Sequence, residues 1–300
     1  MRFSSLVAAA MLVAVPVAVQ AAEVTPLVTA DWLKANAADE NVKIIDIRDE
    51  IEGTDLGELP YIANAVVAPY ASAGWRTEVD GVPGQIPPEA EIAELIGNLG
   101  IDGDDHVVIV PWGTDSSEFG GATRVYWTFK YLGYNDVSIL DGGWRQYDAQ
   151  GGERVAEAAK PVPVEFPYEI QPQLRATTPD VQAALEKGTK LIDGRPTEQF
   201  VGQSKSPVVR VTGTIPGAVN IPHSTLYSGE YASFAQPETI ATLAQGVGLA
   251  EGEENIVFCN TGHWASIAWF ALSEVAGNKN TAMYDGSMAE WAADPARPIQ

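Results

Sequence analysis

The chain has 300 residues, 40 acidic against 18 basic side chains, a net charge of −22 and a single cysteine. That length suggests two domains, each large enough to bury a core of its own. The acidity argues against nucleic acid or an anionic membrane as partner, and one thiol excludes both an internal disulfide and a two-cysteine redox cycle within the chain.

Residues 1–21 carry a charged start at Arg2, an apolar stretch from Leu6 to Val19, and small residues around Val19-Gln20-Ala21. This pattern predicts a secretory signal peptide, too short and wrongly flanked for a stable membrane span. No later stretch is apolar enough to cross a bilayer, so the mature protein is expected to be soluble and exported, periplasmic in a Gram-negative cell. Removing Arg2 takes the net charge from −22 to −23.

The remainder reads as one unit written twice. A helix start at Thr29-Ala-Asp-Trp-Leu and a strand Val42-Lys-Ile-Ile-Asp46-Ile-Arg48 open the first half. Thr178-Pro-Asp-Val, with Thr178 as the expected N-cap, and the strand Lys190-Leu-Ile-Asp193-Gly-Arg195 open the second. Turn-and-strand signals at Ile62–Pro69 and Ile215–Pro222 follow. Helices from Pro88 and Pro237 then lead to apolar strands at His106–Val110 and Asn255–Phe258, and aromatic-rich helices come next. Both halves close on similar turns, Asp141-Gly-Gly-Trp and Asp285-Gly-Ser-Met. The offsets are nearly constant, 193 − 46 = 147 and 285 − 141 = 144. Short strands alternating with helices predict an α/β fold, two tandem domains, each a mostly parallel sheet flanked by helices on both faces. The expected division is 22–152, an extended proline-punctuated linker over 153–173, and 174–300.

The halves differ after their central strands. Cys259 ends the second half's strand and is followed by Asn260-Thr-Gly-His-Trp-Ala265. The corresponding first-half position is Pro111, with a longer loop and no thiol. A strand, a cysteine at its tip, a tight Gly-containing loop and a helix start can aim backbone N–H groups at one point, stabilising a thiolate or the anion it attacks. The bland alternative, an inert buried cysteine, does not explain that placement. The first half is then a partner domain supplying one wall of the site. His106, His223 and His263 stand too far apart in sequence for a metal-ligand motif.

These residues resemble the tandem rhodanese family of sulfurtransferases. Leu140-Asp-Gly-Gly-Trp-Arg145, Gly213-Thr-Ile-Pro-Gly-Ala-Val-Asn-Ile-Pro222, Asp193-x-Arg195 and Cys259-x-x-Gly262-x-x-Ala265 carry the likeness over almost the whole mature chain. It implies a non-catalytic first domain and a catalytic second one whose Cys259 carries sulfur as a persulfide, without metal or organic cofactor. A small anionic donor (thiosulfate, mercaptopyruvate or a persulfide) would load it, and a thiol, cyanide or sulfite would unload it. Asn260, Thr261, Gly262, His263, Trp264, Ala265 and Arg195 are then the expected binding residues, with Asp193 structural beside them, although the placement of Asp193 and Arg195 at a strand end favours an ion pair pinning the strand-to-loop turn over direct substrate contact. The chain departs from the family at Asn260-Thr261, where thiosulfate enzymes carry basic residues, at His263-Trp264, where mercaptopyruvate enzymes carry a Val-Thr pair, and at Gln199 and Thr214. Lys205, Arg210 or His263 is the expected source of the missing cation.

Two other classes compete. A Cys-x5-Arg phosphatase would need arginine at position 265, which is alanine, and a Cys-His hydrolase lacks an identifiable orienting group. The stronger rival is a non-catalytic persulfide carrier loaded by partner proteins.

Overall fold

The computed structural model describes residues 24–50, 60–230 and 232–300. The expected leader at 1–21 lies outside the described residues.

In chain order the first half runs β1 (Leu27–Val28), α1 (Ala30–Asn36), β2 (Val42–Asp46), β3 (Tyr61–Ile62) and β4 (Val66–Val67). It continues through a hairpin, β5 (Thr77–Val79) and β6 (Val82–Gln85), to α2 (Glu89–Asn98), β7 (His106–Val110), α3 (Ser116–Tyr131), β8 (Val137–Leu140), α4 (Gly143–Ala149) and β9 (Arg154–Val155). The second half runs β10 (Arg175–Ala176), α5 (Thr178–Lys187), β11 (Lys190–Asp193), α6 (Thr197–Phe200) and β12 (Val219–Asn220). After a small hairpin, β13 (Tyr227–Ser228) and β14 (Ser233–Phe234), come α7 (Pro237–Gly246), β15 (Asn255–Phe258), α8 (His263–Trp269), β16 (Thr281–Tyr284) and α9 (Ser287–Trp291).

Each half builds a five-stranded sheet, ordered β1-β8-β7-β2-β4 and β10-β16-β15-β11-β12, with every ladder parallel. The two orders are the same once the repeat is superposed. Central strands buried on both faces explain the unbroken Val-Val-Ile-Val and Ile-Val-Phe runs. Amphipathic α2 buries Ile92, Ala93 and Ile96, and its counterpart α7 buries Ile240 and Ala244.

Two local expectations change. The cap of α5 is Thr177, one residue earlier than the spacing suggests. Asp180 closes a capping box by accepting the Thr177 N–H at 2.8 Å, and the Thr178 hydroxyl instead meets Tyr284 and Glu290, each at 2.6 Å. The helix after Cys259 is α-helical only to Trp269 and winds as a π-helix over Phe270–Val275, with the Ala276 N–H reaching back to the Ala271 carbonyl at 2.8 Å.

The proline-punctuated segment after β9 is strapped to the first half. Its start pairs β9 with β3, Phe166 is buried edge-on against Phe129, and Glu169 and Gln171 donate to the carbonyls of Leu132 and Tyr131. The two halves share one apolar core. Across it α3 packs on α8, the Thr123 and Ser266 hydroxyls bonding at 2.8 Å, on the π-helical turn that follows, where Tyr126 meets Phe270 edge-on at 4.9 Å, and on β13, where Phe119 stacks on Tyr227 at 4.3 Å. The cysteine loop begins where that packing ends.

Candidate active site

Cys259 follows β15 directly and is 1% exposed. Its loop is held from below by Ser287, the first residue of α9. The Ser287 hydroxyl accepts the N–H groups of Cys259 at 3.0 Å and Gly262 at 3.1 Å, donates to the Tyr284 carbonyl at 2.8 Å, and lies 4.0 Å from the Cys259 sulfur. Met288 and Ala289 N–H groups clamp the carbonyls of Cys259 and Asn260. Ser287 sits at φ +50°, in the left-handed region that non-glycine residues avoid. Its counterpart in the repeat is Gly143, at φ +60°, where an added Cβ would lie 2.4 Å from the Pro111 carbonyl oxygen and 2.8 Å from the Gly113 nitrogen. The first half therefore keeps glycine, while the second tolerates strain to place a hydroxyl under the thiol. Ser287→Gly is expected to lose about 1–3 kcal/mol of stability, because two buried N–H groups lose their acceptor and relief of strain offsets only part of that. A urea midpoint at or above wild type would refute this account.

The remaining loop donors have no such acceptor. Among the described residues, the N–H groups of Asn260, Thr261, His263, Trp264 and Ala265 donate to no protein acceptor. Buried or half-buried N–H groups left over in this way, in the loop that directly follows one thiol, can make a cradle for an anion. The equivalent loop of the first half is already filled. There the Glu118 carboxylate accepts the N–H groups of Trp112 at 2.6 Å, Gly113 at 2.8 Å and Thr114 at 3.4 Å. Burial pushes the Glu118 carboxyl up to about 7 in spite of those donors. One half plugs its cradle with its own acid; the other leaves it open beside a cysteine.

The first half closes the site from the side. His263 is held by two of its residues: the Tyr70 hydroxyl lies 2.9 Å from Nδ1, and the Ser117 carbonyl 2.8 Å from Nε2. A carbonyl can only accept, so Nε2 carries the proton and Nδ1 accepts from Tyr70. Burial, then the Arg76 charge, push His263 down to about 3, so it is neutral. Trp264 donates to the Ser117 hydroxyl at 2.8 Å and stacks on His223 at 4.4 Å, while His223 bonds Ser116 at 2.9 Å. The first turn of α3 thus grips the second half through Ser116 and Ser117. Behind the loop, buried Arg124 pairs with Asp285 at 2.6 Å, and its guanidinium reaches the carbonyls of Gly262 at 3.4 Å and Gly84 at 3.5 Å.

The rhodanese-like domain profile matches residues 29–150 and 177–294, one match to each copy of the repeat. The chain belongs to the rhodanese-like family. A Mycolicibacterium smegmatis protein provisionally named a thiosulfate sulfurtransferase is 30% identical, with 91% of this chain and 97% of that one covered. A Haloferax volcanii protein of the same provisional name is 28% identical over 91% and 96%. Among solved structures, SseA from Escherichia coli, a 3-mercaptopyruvate sulfotransferase, matches with a TM-score of 0.72 at 24% identity, covering 88% of this chain and 98% of that one. The anaerobic ergothioneine biosynthesis enzyme from Chlorobium limicola, in complex with trimethyl histidine, matches with a TM-score of 0.79 at 20% identity, over 92% and 70%. These last two likenesses establish the fold.

Within the rhodanese frame, the charges named from sequence are occupied elsewhere. Arg195 is fully buried and paired with Asp193 at 2.6 Å; it also donates to the Gly213 carbonyl at 2.8 Å, while the Thr214 hydroxyl completes Asp193 at 2.7 Å. This is a pinned strand end. The same pair recurs in the first half as Asp46 and Arg48 at 2.6 Å, with Arg48 stacked 4.2 Å from the Trp144 ring. Lys205 donates to the Val209 carbonyl at 2.7 Å and Arg210 to the Ala292 carbonyl at 2.6 Å. Asn260 turns its amide to Gln199 at 2.9 Å, and its buried Oδ1 has no partner. Ala265 is fully buried under the loop. Tyr70, Arg76, Ser117, Arg124, Asp285 and Ser287 are site residues that motif reading did not single out. The replacement of Gly143 by Ser287 between the two copies was a usable signal for the last.

Proposed function

We propose that this rhodanese-family protein is a sulfurtransferase that moves a sulfane sulfur from thiosulfate or a related donor to a thiophilic acceptor through a persulfide on Cys259. The family and its named relatives support sulfurtransferase chemistry in general. The observation that carries the finer reading is the set of unpartnered N–H groups at Asn260, Thr261, His263, Trp264 and Ala265, in the loop that follows the lone thiol.

The thiolate is the attacking form. Cys259 S⁻ attacks the outer sulfur of thiosulfate; an S–S bond forms to the enzyme, the donor's S–S bond breaks, and its electron pair leaves with sulfite. The enzyme then holds a persulfide anion, the charge that the free N–H groups stabilise. A thiolate, cyanide or sulfite attacks the outer sulfur and returns the thiolate, so donor and acceptor act in turn. No proton donor is needed in either step with these anions, which suits a site whose histidine is neutral.

We place the reaction outside the cytoplasm, on the strength of the leader pattern in residues 1–21. Among the described residues no helix is long and apolar enough to cross a membrane. One measurement checks chemistry and placement together: the intact mass of protein recovered from the periplasm, before and after thiosulfate, 3-mercaptopyruvate or a small hydropersulfide. The expected result is a chain beginning at Ala22 that gains one sulfur atom and loses it to cyanide. A folded protein with a titratable thiol that gains nothing from any donor overturns the enzymatic reading in favour of a carrier; an uncut chain overturns the placement.

A further inference from the structure

The proposed reaction needs a cation that the cysteine loop lacks. Thiosulfate is a dianion and this chain carries −22, so an uncompensated positive charge must face the donor. The basic side chains around Cys259 do not supply it. Arg195 is neutralised by Asp193 and Arg124 by Asp285, and His263 is neutral; Lys205 and Arg210 keep their charge but are tied to the carbonyls of Val209 and Ala292 rather than to the cysteine loop.

Arg76 remains. It stands at the start of the β5–β6 hairpin, in the half that has no cysteine. Its guanidinium lies 4.9 Å over the Tyr70 ring, and the Tyr70 hydroxyl bonds His263 of the cysteine loop at 2.9 Å. Across the hairpin sits Gly84, at φ +82°. A Cβ there would lie 3.1 Å from Arg76 Nη1, 3.0 Å from Thr261 Cβ and 3.2 Å from the Thr261 carbonyl oxygen. Arg76 and Thr261 therefore flank the same narrow gap, kept clear by the missing side chain. Among the described residues Arg76 forms no ion pair and no hydrogen bond, and it is half-buried. The carboxylate that feels its charge is Asp49, which the Ala71 N–H holds at 2.7 Å. The Tyr70 phenol, pushed up to about 12 by burial, feels both Arg76 and Cys259.

We propose that Arg76, reaching across from the first domain, binds the anionic head of the sulfur donor while its outer sulfur enters the cradle at Cys259. This rests on the sulfurtransferase reading above and adds to it the residue that recognises the donor. The family frame then acquires a division of labour: the second domain supplies thiol and cradle, and the first supplies the cation that its acidic surface otherwise withholds. As the thiosulfate S–S bond breaks and the pair leaves on sulfite, a guanidinium beside the sulfonate oxygens stabilises the departing charge. A donor whose leaving group is an uncharged thiol's thiolate, with no sulfonate or carboxylate, draws less on Arg76.

The test compares wild type, Arg76→Gln and Arg76→Lys. Persulfide formation at Cys259 is followed by rapid-quench mass measurement, with thiosulfate and with a hydropersulfide of an uncharged thiol as donors. Arg76→Gln is expected to raise the KM for thiosulfate about 10- to 100-fold and to lower the preference for thiosulfate over the uncharged donor by a similar factor, because a charge-assisted contact is lost. It also flattens the salt dependence of thiosulfate loading. Arg76→Lys recovers most of the KM, since the charge is retained without the fork geometry. Unfolding temperatures of the three proteins are compared to exclude a folding defect. If wild type loads but Arg76→Gln keeps the same KM and donor preference, or loses both donors equally, Arg76 is not the anion-binding residue and only this inference fails. If wild type loads from neither donor, the persulfide reading fails first and takes this one with it.

Discussion

Cys259→Ser is expected to abolish sulfur uptake, with turnover down by at least ~10⁴-fold and no mass gain from any donor. The oxygen of serine is a far weaker nucleophile at neutral pH than a thiolate and has no neighbouring base to activate it. His263, the histidine of the cysteine loop, is committed to Tyr70 and Ser117 and held neutral. The substitution is nonetheless expected to fold. A hydroxyl in place of the 1% exposed sulfur is a buried polar group, but it sits among loop N–H groups that have no other acceptor, so its cost is held to about 1–2 kcal/mol. Circular dichroism and thermal unfolding check the fold; intact mass after thiosulfate checks the chemistry. A folded Cys259→Ser protein that still gains a cyanide-labile sulfur would move the reaction to another group and sink the mechanism.

What could be read in advance follows from how far each feature reaches along the chain. The duplicated α/β frame was legible because it depends on local periodicity: apolar runs such as His106–Val110 and Asn255–Phe258 become central parallel strands wherever they occur. Cys259 was legible for the same reason, being a strand end before a glycine loop. The walls of the site were not. Tyr70 and His263 are 193 residues apart, Arg124 and Gly262 138 residues apart, and Trp264 and Ser117 147 residues apart. No local pattern announces such contacts. Charge alone misled in the other direction. Lys205 and Arg210 look like candidate cations in sequence, yet each is held to a carbonyl away from the cysteine loop, whereas Arg76, beside a hairpin without a catalytic motif, lies next to Tyr70 and Thr261. Thr178 was one residue off as a cap because Thr177 and Thr178 are equivalent until Asp180 selects the former.

Breaking the buried pair between Arg124 and Asp285 is expected to cost more stability than any substitution in the loop itself. Both side chains are essentially inaccessible to water, and they join the hairpin of one half to the cysteine loop of the other. Removing one partner leaves the second as an uncompensated buried charge, typically a loss of about 3–5 kcal/mol. For a chain of this size that lowers the unfolding temperature by roughly 10 °C. The two single variants should not be equal. Arg124→Met removes a guanidinium that also lies 4.8 Å over the Trp127 ring, but leaves Asp285 with Arg175 at 3.5 Å and the Ile86 N–H at 2.9 Å. Asp285→Asn keeps an oxygen for Ile86 while stranding Arg124 in the interior with no counter-charge. Asp285→Asn is therefore expected to be the less stable single variant, and the double variant Arg124→Met/Asp285→Asn to recover part of the loss. Thermal unfolding of the three proteins gives that order directly. If both single variants unfold within a degree or two of wild type, the pair does not fasten the halves together, and the cysteine loop must owe its position to Ser287 and the α3–α8 packing alone.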